Sequence, residues 1–442
     1  MATRLATALI APISFAIVSL TLLRSNNWAE WGIEALPSAT PTTVSFGDLA
    51  NITATADCIA AQTPIETCDP YGRPFQPYVE LPAQVLNTLG LGTNNIQELG
   101  LSLALIFLIT ITALAVVLAI TWQKSFGRLL ATQALIALIS ISPASMLAVE
   151  RGQIEQLTLA LVVFALITFS ISQHSRYSPF KYLGSASSFL ATTTKYLSIG
   201  MFLPFIHRNM FVRKNAPIFI GLTLSAIFIL ISLPSVLQAT ETSGANDPKT
   251  TKSAFGITTL LATAYFGENL LYEASNEVIN NWQAITIASY ALFITATIIW
   301  TAILITVRNR KTTTNNNEAN EREQLPWILT LGSGGVLLFP YLLGSNHDYR
   351  LIFLIPLAAG VALLSSQRPV VGTLLAVCAG ITAVTSAPMI PTPSGLIWPT
   401  SALVVGDASL LILLSGIAAL WLTTAFTKQD TNTEATKTME SP

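Results

Sequence analysis

Charged residues are scarce in this sequence. Of its 442 residues only 10% are Asp, Glu, Lys or Arg, whereas 52% are hydrophobic. Soluble domains carry about 25% charged residues, so the composition excludes a soluble enzyme held by one anchor. The few charges form no basic stripe of the kind that binds nucleic acid, and we expect no such partner. The composition indicates a polytopic membrane protein.

Cysteine and histidine are also rare, with three of each. We find no convincing set of metal ligands, and we expect neither a metal nor a cofactor. Cys378 lies in an apolar run and is expected to be inert packing. Cys58 and Cys68 share one polar loop, where they could form a disulfide outside the cytoplasm or could both stay reduced.

Long apolar runs are what the sequence has in abundance. A bilayer requires about 17–25 such residues per helix, and ten runs are long enough. They lie near residues 5–23, 99–122, 128–148, 153–172, 216–238, 284–307, 326–344, 351–366, 369–388 and 402–426. The first run lacks a small-residue cleavage site, so we expect an uncleaved helix there. The sequence thus predicts an all-α polytopic membrane protein with about ten full spans.

A further run, residues 182–207, contains Lys195 near its middle. As a single span it would place the basic loops 176–181 and 207–215 on opposite sides of the membrane. As two half-helices that return near Lys195, it places both loops on one side with most of the basic residues. The positive-inside bias favours this broken or re-entrant helix pair. Its apex must be enclosed by protein or line a wet cavity.

This topology predicts one transmembrane domain of residues 1–426 in a bacterial-type plasma membrane, with both termini in the cytoplasm. Two outer loops are long, at residues 24–98 and 239–283. The longest cytoplasmic loop, residues 308–325, is polar and of low complexity, so we expect it to be flexible. The tail, residues 427–442, has a similar composition and is expected to be disordered.

The first outer loop holds a candidate catalytic acid. Asp48 precedes a plausible short helix in the segment SFGDLANITATADCI. It could cap that helix, or it could act as a general base that takes a proton from a hydroxyl group. Asp57 and Asp69 are rival acids, although Asp69 stands in a segment typical of a turn.

A very short connection between two spans, AVERGQIEQL at residues 148–157, is crowded with polar side chains. They are Glu150, Arg151, Gln153 and Glu155. This turn could be a solvated hairpin with internal ion pairs. Alternatively, the planar guanidinium of Arg151 could bind a phosphate.

A third outer cluster precedes the run at 351–366. It consists of His347, Asp348, Tyr349 and Arg350. Four polar side chains in a row indicate a site without identifying it. Lys195 could snorkel to the interface or pair with a buried carboxylate, or it could bind a lipid-linked phosphate from the helix break.

In this order, these segments resemble the GT-C membrane glycosyltransferases. The resemblance is to glycosyltransferase family 87, with its polyprenyl-phosphate-mannose-dependent mannosyltransferases. The matching segments are GDLANITATADCI, ERGQIEQLTLALVVFAL, SSFLATTTKYLSIGMFLPFIHR and NHDYRLIFLIP. Two positions depart from the family pattern: Glu155 replaces a usual asparagine, and Leu197 stands where a proline often follows.

The resemblance implies an inverting glycosyltransferase that uses no cofactor. It would move mannose or another sugar from a polyprenyl-phosphate donor to a lipid or glycan acceptor on the extracytoplasmic face. Asp48 would be the catalytic base. The residues expected to bind the donor phosphate are Lys195, Arg151, His347, Arg350 and Tyr349. The residues expected to contact the acceptor or support the site are Glu150, Gln153, Asp348 and Tyr196.

Three other functions stay open. A secondary transporter would show two related halves with paired broken helices, whereas the sequence offers one such segment. A lipid-carrier glycan ligase or polymerase would have its large outer loop late in the chain, and here the largest comes first. A catalytically silent relative that serves as an assembly factor is the third. Convergence of Asp48, Arg151, Lys195 and His347 on one cavity would favour the transferase.

Overall fold

A computed structural model describes residues 2–25, 46–64, 80–121, 126–172, 179–206, 215–242, 254–255, 257–266, 276–309, 324–343, 346–385 and 400–426. The α-helices are α1 (Ala2–Thr7), α2 (Ile10–Ser25), α3 (Gly47–Ala61), α4 (Glu80–Thr88), α5 (Ile96–Thr121), α6 (Phe126–Ser140), α7 (Pro143–Glu150), α8 (Glu155–Ser172), α9 (Pro179–Thr194), α10 (Ala216–Thr242), α11 (Thr259–Phe266), α12 (Asn276–Asn309), α13 (Gln324–Leu343), α14 (Leu354–Leu364), α15 (Pro369–Thr385) and α16 (Thr400–Phe426). Among the described residues, three segments are 3-10 helices: Thr93–Asn95, Tyr196–Phe205 and Asp348–Phe353. Two short strands, β1 (Ala254–Phe255) and β2 (Asn346–His347), pair antiparallel. The fold is that of an all-α polytopic membrane protein.

Seven stretches of the described chain are long and apolar enough to cross a membrane. They are Ala2–Arg24, Thr93–Thr121, Glu155–Ser172, Ala216–Pro234, Asn281–Val307, Leu325–Leu343 and Ala402–Thr424. The helices α6 and α7 are bent by 48° and would form an eighth span if the pair counts as one. The predicted count of about ten is not supported in these residues. The difference lies at α14 and α15, which are described over 11 and 17 residues and count among the shorter apolar helices.

The bend between α6 and α7 has a local cause. Pro143 is the first residue of α7, and it lacks the N–H that would continue α6. Ser142 caps the new helix, because its hydroxyl oxygen accepts a hydrogen bond from the backbone N–H of Ser145 at 3.4 Å. The chain therefore turns at this point and starts a second short helix that ends at Glu150.

The helix break predicted within residues 182–207 lies at Lys195. The last residues of α9 are three threonines, residues 192–194, which have low helix propensity and whose hydroxyls bond to carbonyls of the preceding turn. Lys195 then takes an extended conformation, with φ −151° and ψ 116°, and the 3-10 segment Tyr196–Phe205 follows. The predicted return of the two arms to one side of the membrane stays a prediction.

Two glycines bring the segment after Lys195 against α13. A Cβ atom added to Gly200 would lie 2.3 Å from the carbonyl oxygen of Gly335. A Cβ atom added to Gly335 would lie 2.1 Å from the carbonyl oxygen of Gly200. Such a close backbone approach is typical of small residues between membrane helices, and it anchors the region of the break to the bundle.

The spans differ in how deeply they are buried. The share of buried residues is 78% in Leu325–Leu343, 67% in Ala402–Thr424 and 61% in Glu155–Ser172. It is only 22% in both Ala216–Pro234 and Asn281–Val307. The first three spans therefore form the interior of the bundle, and the last two expose wide apolar faces suited to lipid.

Several predictions concern residues that lie partly or wholly outside the part of the chain that the structure describes. The tail 427–442 and most of the loop 308–325 lie there, as do Asp69 and Cys68. Cys58 is disulfide-bonded, and Cys378 is free and buried. Cys68, the predicted partner of Cys58, lies outside the described residues.

Candidate functional site

The first helix of the site, α3, begins against the turn between α7 and α8. The backbone N–H of Phe46 donates to the carbonyl of Glu150 at 2.5 Å, and the N–H of Asp48 donates to the carbonyl of Arg151 at 3.1 Å. These bonds satisfy donors that the first turn of a helix leaves unpaired. The start of α3 is thereby fixed to a segment about 100 residues later in the chain.

Gly152 makes this docking possible. Its φ is +60°, in the left-handed region that favours glycine. A Cβ atom at this position would lie 3.0 Å from the Cβ atoms of both Phe46 and Leu49. The turn thus needs glycine for its backbone conformation and for its contact with α3.

The carboxylate of Asp48 is held by two side chains of that turn. Its Oδ2 atom accepts a hydrogen bond from Nε2 of Gln153, and its Oδ1 atom lies 3.6 Å from Nη1 of Arg151. The alternative reading of Asp48 as a helix cap is wrong, because Phe46 occupies the cap position and no side chain caps the helix. With 27% of its side chain exposed, Asp48 stays accessible.

Arg151 lies between two acids. Besides Asp48, it contacts Glu150, with 3.1 Å between Nε of Arg151 and Oε2 of Glu150. Only 11% of the Arg151 side chain is exposed. We refer to Asp48, Glu150 and Arg151 as the Asp48 group, which has a formal charge of about −1 when all three are ionised.

A second group has the opposite charge. Glu155, the first residue of α8, is 1% exposed, and its Oε1 atom lies 2.9 Å from Nζ of Lys195 and 3.8 Å from Nε of Arg350. The positive end of the α8 dipole also favours a carboxylate at this position. We refer to Lys195, Glu155 and Arg350 as the Lys195 group, which has a formal charge of about +1 when all three are ionised.

The two groups lie next to each other. Glu150 and Glu155 are joined by the four residues of one turn, and the Asp48 carboxylate acts electrostatically on Lys195. Lys195 itself lies outside the seven candidate spans. Burial lowers the pKa of the Lys195 ammonium, the Glu155 carboxylate opposes that shift, and the Arg350 guanidinium adds to it.

The structure brings most of the sequence-predicted residues together. Those that meet in the two groups or bond to them are Asp48, Glu150, Arg151, Gln153, Lys195 and Arg350. Tyr196 lies elsewhere, with its ring 5.9 Å from that of Phe228 on α10. For His347, Asp348 and Tyr349 only the backbone is described, as part of β2 and of the 3-10 segment that carries Arg350.

Sequence reasoning missed two features of the site. It treated Glu155 as one polar residue among several, although this acid joins Lys195 to Arg350. It also passed over the conformation that Gly152 provides. The available signals were a carboxylate at the very start of an apolar helix and a glycine inside a tight, charged turn.

The rival acid Asp57 has a structural role. Its Oδ2 atom accepts hydrogen bonds from the backbone N–H of Thr93 at 3.1 Å and from the Thr93 hydroxyl at 2.5 Å. It thereby ties α3 to the turn that precedes α5. Another acid, Asp407, lies within the span Ala402–Thr424 and acts electrostatically on Tyr341. Asp407 belongs to neither charged group.

The described residues also form a cavity of about 640 Å³ between α6, α14 and α15. Its lining contains no residue of the Asp48 group or the Lys195 group. In the part of the chain that the structure describes, no three His, Cys, Asp or Glu side chains are placed to hold a metal ion.

Comparison with known proteins adds no identification. No family model matches the chain, and neither a curated protein nor a solved structure matches it. Function is therefore inferred from the two charged groups themselves.

Proposed function

We propose that the protein is an inverting glycosyltransferase of the GT-C type. It transfers a sugar, mannose or another hexose or pentose, from a polyprenyl-phosphate donor to a hydroxyl group of a lipid or glycan acceptor. The observation that carries the proposal is an accessible carboxylate, Asp48, held beside a net-positive group that contains Lys195 and Arg350. An acid and a cationic group side by side are what such a transfer requires.

In this proposal the Lys195 group binds the donor. Cleavage of the bond between sugar and phosphate leaves negative charge on the phosphate. Lys195 and Arg350 are already positioned by Glu155 and would stabilise that charge without rearrangement in a poorly hydrated site. His347 and Tyr349 would add hydrogen bonds to the phosphate.

The Asp48 group would activate the acceptor. Gln153 and Arg151 each hold one carboxylate oxygen of Asp48, which keeps the acid oriented. Asp48 takes the proton of the acceptor hydroxyl while the oxygen of that hydroxyl attacks the sugar from the face opposite the phosphate. This attack inverts the anomeric centre. The two carboxylate partners of Arg151 support a role in orienting Asp48 rather than the phosphate contact that the resemblance implied.

The proposal includes an orientation in the membrane. Most basic loops would face the cytoplasm together with both termini, and the two charged groups would lie at the extracytoplasmic face. The donor would then enter from the outer leaflet of a bacterial-type plasma membrane.

A secondary transporter is the second candidate, because the residues that the structure describes include two interrupted helical regions. They are the α6–α7 bend and the break at Lys195. In inverted-repeat transporters, however, interruptions occupy corresponding positions in two halves of the chain. Here both lie within residues 126–205, which favours a single site over a repeat. A lipid-carrier glycan ligase or polymerase remains the alternative within transferase chemistry.

The test is a transfer assay with purified full-length protein in lipid nanodiscs. It offers a panel of polyprenyl-phosphate sugars together with lipid and glycan acceptors. We expect transfer from one donor, loss of nearly all of it in Asp48→Asn, and little change in the matched control Asp57→Asn. Absence of transfer from every donor would refute the transferase, and equal loss in both variants would remove the special role of Asp48.

A further inference from the structure

The cavity between α6, α14 and α15 is separate from the two charged groups and has no role in the proposed function. Its volume is about 640 Å³, within the range of about 300–1,000 Å³ that is typical of ligand sites. Among the described residues it is a groove that is open on one side, because Leu138, Val377 and Val384 in its walls are exposed. We refer to it as the α6–α15 groove.

Small side chains provide the space in the α6–α15 groove. A Cβ atom added to Gly380 on α15 would lie 3.2 Å from Cδ1 of Leu135 on α6, so the two helices approach each other there. Around this contact the groove is lined by the alanines Ala131, Ala362 and Ala376. Because these side chains are short, room remains beside the contact for a chain-like ligand.

The walls of the groove resemble hydrocarbon in their chemistry. The hydroxyl groups of Thr132, Ser365 and Thr385 donate to backbone carbonyls of the preceding turn, at 2.9, 2.6 and 2.7 Å. These hydroxyls are therefore satisfied within the protein, and most other lining side chains are apolar. Such walls fit an alkyl chain, whereas the polar groups of a sugar would stay unpaired.

One end of the groove carries a positive charge. The α6 wall runs from Arg128 to Leu138, and Arg128 lies in the first turn of α6. Arg128 is exposed, and within the part of the chain that the structure describes no acid forms an ion pair with it. The positive end of the α6 dipole adds to this charge, and the first turns of α6 and α15 contain no acid. This end of the groove therefore favours an anion.

The charged end of the groove lies near the membrane surface. The span that contains α5 ends at Thr121, and α6 begins at Phe126, so Arg128 is close to the connection between two membrane helices. At about 1.5 Å per residue, the α6 wall from Arg128 to Leu138 is about 15 Å long, or about half of the ~30 Å hydrocarbon core. The groove thus extends from the level of the lipid headgroups to about the middle of the bilayer.

We propose that the α6–α15 groove binds an anionic phospholipid, with one acyl chain in the groove and the headgroup phosphate at Arg128. Charge complementarity at Arg128 favours this occupant over a zwitterionic lipid and over an apolar helix of a second copy. Basic residues beside membrane helices attract anionic headgroups in the same way. The inference goes beyond the proposed function and does not depend on it, because neither charged group lines the groove.

The experiment measures lipid binding to the full-length protein in detergent by native mass spectrometry. The probes are phosphatidylglycerol, which is anionic, and phosphatidylcholine, which is zwitterionic, with the same acyl chains. We expect wild type to bind the first phosphatidylglycerol at least about fivefold more tightly than the first phosphatidylcholine. Arg128→Gln should bring that ratio close to one. Arg24→Gln removes an exposed arginine at the end of α2, outside the groove, and should leave the ratio unchanged.

A second variant tests the groove itself and keeps the inference testable where Arg128→Gln does not fold. Ala376→Phe places a ring in the groove and should weaken the binding of both lipids at least about fivefold. Leu374→Phe places the same ring on α15 outside the groove lining, so the affinities should stay within about twofold of wild type.

Three results would overturn the inference. The first is a wild-type protein without the preference, or an Arg128→Gln variant that keeps it. The second is unchanged lipid affinity in Ala376→Phe, which would place the lipid on the surface rather than in the groove. The third is a wild-type dimer that dissociates in Ala376→Phe, which would assign the groove to a second copy of the chain.

Discussion

The Asp48 group and the Lys195 group are built in opposite ways. In the first, one cation, Arg151, lies between two acids; in the second, one acid, Glu155, lies between two cations. In both groups the central residue is less exposed than its partners, at 11% for Arg151 and 1% for Glu155. The central residue therefore holds the geometry, while among the outer residues Asp48 and Arg350 are partly exposed and Lys195 is buried. Within each group, the exposed fraction of a side chain follows its position in the group rather than its residue type.

The largest expected effect tests the outer acid. Asp48→Asn keeps the hydrogen-bonding shape but removes the base, so transfer should fall by about 100- to 10,000-fold. The fall should appear in kcat, and the thermal unfolding midpoint should change little, because Asp48 is partly exposed. A proportionate loss of folded protein would show instead that Asp48 serves the structure.

Removal of one outer cation should mainly reduce stability. Lys195→Met leaves the buried carboxylate of Glu155 with Arg350 at 3.8 Å, and loss of a buried ion-pair partner costs about 3–5 kcal/mol in the free energy of unfolding. The measurement is the unfolding free energy in detergent. The double variant Lys195→Met, Glu155→Gln should recover much of that stability but none of the donor binding. If the two changes in unfolding free energy were fully additive, the pairing of Lys195 with Glu155 would be contradicted.

The contact between α3 and the turn can be weakened without any change of charge. Gly152→Ala places a Cβ atom at φ +60° and 3.0 Å from side chains of α3, and such strain costs about 1–3 kcal/mol. Transfer should decrease because Asp48 loses its position. The check is a thermal shift measured together with kcat, and Gly127→Ala, which meets nothing within 4 Å, is the matched control. Equal changes in thermal stability and kcat for the two substitutions would show that the contact between α3 and the turn does not position Asp48.

The smallest expected effect concerns the structural acid. Asp57→Ala removes the acceptor for the backbone N–H of Thr93, a loss comparable to that of a helix cap at about 1 kcal/mol. Unfolding should shift slightly, and kcat should stay within about twofold of wild type. A large fall in kcat with intact folding would indicate that Asp57, rather than Asp48, is the catalytic base.

Some elements of the site were readable from individual residues. Lys195 stood out because a lysine in an apolar run is costly, and the helix does break there. Asp48, Arg151 and Arg350 stood out as charges at the ends of predicted helices. The span count was less predictable: the run that contains α14 has the composition of a span, and only the structure shows that this helix has 11 residues.

The partners of these residues could not be read in the same way. Asp48 and Gln153 are 105 residues apart in the sequence, and Glu155 meets Arg350 across an even longer separation. No local pattern encodes such contacts. Gly152 gave a weak signal, since a glycine in a turn has many common explanations.

Composition and hydrophobic run length by themselves determined that this is a helical membrane protein with its few charges concentrated at helix ends. These properties are local, because the cost of placing each residue in lipid depends on that residue and its immediate neighbours. Tertiary structure alone decided which charges share a partner and which of them stay exposed. The physical reason is that the energy of a buried charge depends on distances of 3–4 Å between atoms, and only the folded chain sets those distances.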